Sequence, residues 1–278
     1  MTKTAKKLVP QARREEQRQM SDRLVKFSTE GAVAIMTIDN PPMNPMTKVV
    51  WEQFEEVLDE LESRKDEIRV LILTGKGKAF IAGADIKSFP ELTQEGARAR
   101  LKIAKPRYIK LEQFDRPVIG AINGYCLGAG LELAMCCDIR IASSNAKLGQ
   151  AEINVGLIPG GGGTQRLPRL VGPGIAKEMI YTGKFISAER AAHIGLVNQV
   201  VKPEELMKEA MDMARLIASR PPLAVRAAKE AIGRGLNMTL AEGLEVEADH
   251  WSYLCGTEDQ KEGAKAFIEK RKPVFTGK

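Results

Sequence analysis

Residues 117–143 read PVIGAINGYCLGAGLELAMCCDIRIAS, and this stretch decides the fold. PVIGAIN (117–123) is a short apolar run without polar alternation, the pattern of a strand buried on both faces. DIRIAS (138–143) is a second strand. The almost wholly apolar segment that follows Gly128 is read as a buried helix between them. Strand, sheltered helix, strand is the unit of an α/β protein. One residue is out of place. Glu132 is the only polar residue between Cys126 and Cys137, and an ionised carboxylate taken into an apolar interior is costly unless something offsets the lost water.

The flanks extend the pattern. Upstream, 23–28 and 33–39 (VAIMTID) form a hairpin around Thr29–Gly31. Residues 47–64 place Val50, Phe54, Val57, Leu58 and Leu61 at helical spacing and lead into the strand VLILTG (70–75). Residues 98–114 are helical, and a short strand lies near 147–150. Past Pro203 the strand signals cease. Residues 203–218, 221–234, 239–255 and 258–270 read as helices, divided by Arg220-Pro-Pro, Gly233/Gly235 and Cys255-Gly-Thr. Pro203 suits the first position of a helix, where a missing N–H has no partner to lose. The expected architecture is an α/β body over 21–202 followed by a helical region over 203–278.

Composition narrows the class. The chain has 278 residues, 44% hydrophobic and 28% charged, the profile of an ordinary soluble globular protein. No run approaches the roughly 18–20 apolar residues of a membrane span, and the N-terminus lacks the apolar core of a secretory signal. Cys126, Cys136, Cys137 and Cys255 show no CxxC pair and no zinc or disulfide spacing, which favours a reduced, intracellular protein. Of the net charge of +6, residues 1–20 (MTKTAKKLVPQARREEQRQM) carry +4. That segment is read as a solvated, flexible extension, with an interaction arm or an organellar presequence as alternatives. The remaining body is nearly neutral, which argues against nucleic acid as a partner.

The glycine runs are not phosphate loops. IPGGGGTQRL (158–167) lacks the GxxxxGK[ST] of a Walker loop, and neither glycine run has the GxGxxG spacing of a dinucleotide turn. GYCLGAG follows a strand and opens a helix, so the N–H groups around Gly128, Ala129 and Gly130 can face a partly negative oxygen. The simplest account of Glu132 is stabilisation by the N-terminal dipole of its own helix, about 0.3–1 kcal/mol. A second acid changes the weighting. GQAEINVGLIPG (149–160) sets Glu152 among Ala, Ile, Val and Leu. Two glutamates in apolar settings beside glycine-rich backbone point to acid–base chemistry next to an oxyanion hole. His193 and His250 are isolated and form no triad pattern; Cys136 and Cys137 read as small apolar packing.

KAFIAGADIK (78–87), INGYCLGAGLELAMCCDIRIAS (122–143), LGQAEINVGLIPGGGGTQRLPRLVG (148–172) and AAHIGLVNQVV (191–201) together resemble the crotonase, or enoyl-CoA hydratase/isomerase, superfamily. The similarity runs in register from about residue 23 to KAFIEKRKPVF near the C-terminus. It implies a spiral of ββα repeats with a C-terminal helical oligomerisation region, assembling as a homotrimer or homohexamer. It also implies a CoA thioester substrate, with no metal and no cofactor beyond the CoA that the substrate carries. By the same resemblance the backbone N–H groups of Ala84 and Ala129 form the oxyanion hole, although the family usually has Gly at 129 and often Pro at 151. Glu132 and Glu152 match the two glutamates with which hydratases of this family add water to C3 of a trans-2-enoyl-CoA, giving 3-hydroxyacyl-CoA. In that assignment Glu152 handles the C2 proton and Glu132 orients the water. Ala84, Asp85, Ile86 and Lys87 match the segment along pantetheine and adenine; Phe267 and Lys270 would reach a neighbouring subunit's nucleotide end. A Δ3,Δ2-enoyl-CoA isomerase, or another enolate-forming crotonase, is the alternative enzyme, and an RNA-binding member would rest on the basic segment alone. Two carboxylates favour hydration. The expected compartment is the cytoplasm, or the mitochondrial matrix in a eukaryote. Acyl chain length and pathway are left open by the residues.

Overall fold

The structure is a computed structural model that describes residues 23–87 and 89–278, so the expectations for the basic segment 1–20 lie outside the described residues. The chain opens with a hairpin, β1 (Val25–Glu30) and β2 (Val33–Ile38), turning through Gly31 at φ +57. Helix α1 (Lys48–Ser63) starts where Thr47 Oγ1 accepts from Val50 N–H, and it buries Val50, Trp51, Phe54, Val57, Leu58 and Leu61. The strands then come in pairs: β3 (Val70–Gly75) with β4 (Ala79–Ile81), β5 (Val118–Ile122) with β6 (Tyr125–Leu127), and β7 (Ile139–Ser143) with β8 (Lys147–Gly149). Helix α2 (Gln94–Glu112) separates the first two pairs, and α3 (Ala129–Cys136) the second and third.

Each pair places its first strand in one sheet and its second in another. The larger sheet runs β1-β2-β3-β5-β7-β10, where β10 is Gln199–Val201; the smaller runs β4-β6-β8-β9, where β9 is Ile186–Ser187. From β2 to β10 the large sheet is parallel, so the chain climbs as a spiral. A parallel sheet needs cover on both faces, and β3 shows how it is met. Leu71 and Leu73 join the main core with α1, whereas Val70 and Ile72 face Leu206, Ala210, Met211 and Ala214 of α7 (Leu206–Ala218). All six residues of β3 are buried.

The remaining helices are α4 (Gly163–Val171), α5 (Pro173–Thr182), α6 (Ala188–His193), α8 (Pro222–Gly235), α9 (Leu240–Cys255) and α10 (Glu258–Ile268). After β10 the described chain is helical. Pro203 opens a 3-10 turn, Pro203–Glu205, rather than the helix itself. Helix α2 begins four residues before the expected 98, because Thr93 caps it by accepting from Gly96 N–H. Helix α10 ends at Ile268, and Lys270 adopts φ +54 beyond it. The tail then returns to the body: Arg69 Nη2 donates to Phe275 O at 2.9 Å, and buried Asp259 accepts from Thr276 and Gly277 N–H at 2.7 and 2.9 Å.

Candidate active site

Strands β4 and β6 are parallel neighbours, so the segments leaving their C-terminal ends emerge side by side. These are the segments that carry Ala84 and Ala129. Close approach depends on missing side chains: a Cβ built at Gly130 would lie 2.0 Å from Ile81 O, and one at Gly128 would lie 3.8 Å from Gly83 Cα. Gly128 takes the left-handed turn, φ +50, that lets β6 swing directly into α3. Ala129 itself keeps a negative φ, so a methyl at this position is compatible with the turn. Neither Ala84 nor Ala129 N–H has a backbone acceptor among the described residues.

Glu132 occupies the fourth position of α3 and is 2% exposed. Its carboxylate is not held by the N-terminus of its own helix, contrary to the sequence expectation. Oε1 accepts from Gly161 N–H at 2.7 Å and from Gly163 N–H at 2.8 Å, both in the glycine run that opens α4. The donors come from the loop before α4 and from its first residue, not from the first turn of α3. The glycine run 160–163, whose sequence excludes a phosphate loop, is a carboxylate cradle. A Cβ at Gly161 would sit 2.6 Å from Glu132 Oε2 and 2.3 Å from Tyr108 Cζ, which is why glycine stands there. Burial raises the Glu132 pKa, and the Gly163 and Gly161 N–H groups, Arg166 and Tyr108 pull against it.

Glu152 begins a 3-10 turn, Glu152–Val155, closed by Gly156 at φ +73. A Cβ at Gly128 would lie 3.0 Å from its Oε1, so this carboxylate borders the turn before Ala129. Burial pushes its pKa up to about 7, its own backbone N–H opposing and the Glu132 charge adding. The two acids feel each other's charge, yet only Glu132 has paired backbone donors.

Three supporting residues were missed in the sequence. Gln150 is fully buried; with its amide nitrogen toward Glu152 it donates to Oε1 and Oε2 at 3.0 Å each. Tyr108, 4% exposed on α2, packs edge-on to Trp51 and meets Glu132. Arg166 holds Glu112 through two bonds of 2.9 and 2.7 Å and donates to Gly161 O at 2.9 Å, bracing the cradle. Gln150 could have been suspected as an amide two residues before an acid. Tyr108 and Arg166 carry no such signal, because helices distant in sequence bring them in.

The profile of the enoyl-CoA hydratase/isomerase family matches residues 28–278. A crotonyl-CoA hydratase from Syntrophomonas wolfei is 45% identical over 90% of this chain and 96% of its own length. A short-chain-enoyl-CoA hydratase from Clostridium acetobutylicum is 46% identical over 87% and 94%. The crystal structure of an enoyl-CoA hydratase from Bacillus anthracis superposes with a TM-score of 0.88 at 41% identity, covering 92% of this chain and 100% of that one. The chain belongs to the enoyl-CoA hydratase/isomerase family. Its fold is that of the crotonases, with the paired strands forming the turns of the spiral.

Other residues carried over from the family sit elsewhere. Ile86 and Lys87 are exposed beyond the Met46–Ala84 bridge, and Lys87 N–H donates to Asp85 Oδ1 at 3.2 Å. Phe267 is 86% exposed, and Lys270 is exposed past the end of α10. Within one chain that helix packs chiefly on α9, and the fold does not gather these two residues to the carboxylates. No helix among the described residues is long and apolar enough to cross a membrane.

Proposed function

We propose that this chain hydrates trans-2-enoyl-CoA to 3-hydroxyacyl-CoA, with Glu132 and Glu152 as the acid–base pair and the N–H groups of Ala84 and Ala129 as the oxyanion hole. Family membership and the hydratase relatives support the reaction class. The observation that supports the residue assignment is a pair of desolvated carboxylates, Glu152 bordering the Gly128 turn and Glu132 close enough for its charge to raise the Glu152 pKa. The thioester oxygen would accept from both N–H groups. Glu132, held in its cradle, takes a proton from water in its carboxylate form as the oxygen bonds to C3. The C2–C3 π pair moves toward the thioester as an enolate, then collects a proton at C2 from Glu152. A carboxyl group with a pKa near 7 is suited to give and regain that proton at neutral pH. Proton return from Glu132 to Glu152 resets the pair. Losing one oxyanion donor typically costs ~10²–10³ in rate.

The CoA handle is assigned to Ala84, Asp85, Ile86 and Lys87, with Phe267 and Lys270 completing a neighbour's site in a trimer or hexamer. CoA enters as part of the substrate, and the chemistry assigned to these residues calls on no further cofactor. The test is a turnover panel of trans-2-enoyl-CoAs from crotonyl-CoA to hexadecenoyl-CoA, run beside 3-enoyl-CoAs. The two short-chain relatives make crotonyl-CoA the first substrate to try. Hydration of the 2-enoyl series with little isomerisation of the 3-enoyl series is expected. Turnover confined to 3-enoyl thioesters would make the chain an isomerase.

A further inference from the structure

Far from the carboxylates, where α8 leaves α7 and crosses the start of β5, four arginines surround one small recess. Arg69, Arg116, Arg220 and Arg226 line it, with apolar walls from Ile217 and Val225. Arg116 is 1% exposed, among the most deeply buried large side chains of the protein. Its Nη1 donates to Leu61 O at 3.0 Å, and its Nε lies 2.7 Å from Asp115 Oδ1. Its buried Nη2 has no hydrogen-bond partner, and neither has the buried Nε of Arg226. Arg69 spends both terminal nitrogens on the neutral carbonyls of Ala218 and Phe275. Asp115 lies 3.7 Å from Arg226 Nε, and the Glu62 charge also acts on Arg116.

Four guanidinium groups, of which Arg116 is buried and Arg220 exposed, outnumber the carboxylates of Asp115 and Glu62 that act on Arg116, and leave a surplus of positive charge beside unpartnered N–H donors. Buried charges and unpaired donors both carry a heavy cost, and a water molecule would relieve only the donors. We propose that this recess binds a small monovalent anion of halide size, which pins α8 to the body of the protein. Size sets the class. The space open to the centre of a water-sized sphere is about 10 Å³, enough for one such sphere and too little for a phosphate or carboxylate. The anion would take hydrogen bonds from Arg116 Nη2 and Arg226 Nε. It would act alongside Lys229, whose Nζ donates to Arg116 O and Asp138 Oδ2 at 3.0 and 2.8 Å.

The experiment is thermal unfolding of the full chain at constant ionic strength, with gluconate replaced stepwise by chloride or bromide, paired with crystals grown in bromide. A saturable rise in Tm of roughly 2–4 °C is expected, with an anomalous peak within hydrogen-bonding distance of Arg116 Nη2. Arg226→Gln should lose the halide-dependent part of the rise while still folding. A Tm that follows ionic strength alone, or bromide crystals without an anomalous peak in the recess, overturns the proposal. A peak in crystals without a halide effect on Tm overturns it as well, marking an adventitious ion only.

Discussion

Glu132 and Glu152 are both taken out of water, but by different surroundings, and the proposed division of their work rests on that difference. Two short N–H bonds hold Glu132, whereas burial leaves Glu152 with a pKa of about 7. Glu152→Gln should therefore lower hydration of crotonyl-CoA by ~10²–10⁴ with the fold intact, read from steady-state kinetics and circular dichroism. The same substitution tests the pKa through stability. Below the ordinary value of 4.5 the carboxyl is protonated in both folded and unfolded chains. As pH rises the unfolded chain releases the proton first, so the native protein loses stability until about pH 7 and then levels off. The Tm advantage of Glu152→Gln over the natural chain should grow across that window and stay flat above it. An advantage that shrinks with pH would remove the raised pKa from the account. Glu132→Gln should also cripple hydration while sparing exchange of the α-proton on a saturated thioester, followed by deuterium uptake. Equal loss in both reactions would make the acids one coupled unit.

At the scale of elements, the site is a meeting of ends. Parallel β4 and β6 finish together, β6 turns through Gly128 into α3, and the loop before α4 folds its N–H groups over Glu132. Gly161→Ala would press a methyl against Tyr108 and Glu132. Overpacking of this kind costs about 1–3 kcal/mol, so urea denaturation should show that loss alongside a drop in kcat larger than the change in KM. Full activity in Gly161→Ala would show that the cradle tolerates displacement and does not position the acid. The elements themselves were largely legible. VLILTG, PVIGAIN and the four C-terminal helices declare themselves by apolar runs, proline and glycine. Of the two- and three-residue strands only β8 was read, while β4, β6, β9 and β10 were not, because so short a strand has little period of its own and is set by pairing with its neighbours. Helices α4 and α5, with glycine and proline at their joints, likewise gave no clear period.

At the scale of the molecule, α8 and α9 pack on each other yet leave Ile232, Leu236, Leu240, Leu244 and Trp251 exposed, Leu240 by 80%. Such an exposed apolar face is what the proposed trimer or hexamer would cover. Replacing Leu236 and Leu240 together by Asp should lower the oligomeric mass seen by light scattering and raise KM for the CoA thioester. A monomeric natural chain with full activity would refute the shared site. Removal of residues 1–20 should change neither mass nor KM.

The amino-acid order alone determined the α/β class, the helical C-terminal region and the family, and it singled out the two glutamates, because these rest on local periodicity and on motifs contiguous in the chain. Tertiary structure decided what those glutamates touch. The donors to Glu132 lie 29 and 31 residues away along the chain, and Tyr108 and Arg166 arrive on separate helices. A hydrogen bond has a reach of about 3 Å, so its partner is set by how the spiral closes rather than by sequence proximity. The surroundings of Arg116 have the same origin: Leu61, whose carbonyl accepts from its Nη1, and Arg226, beside it in the recess, come from distant parts of the chain.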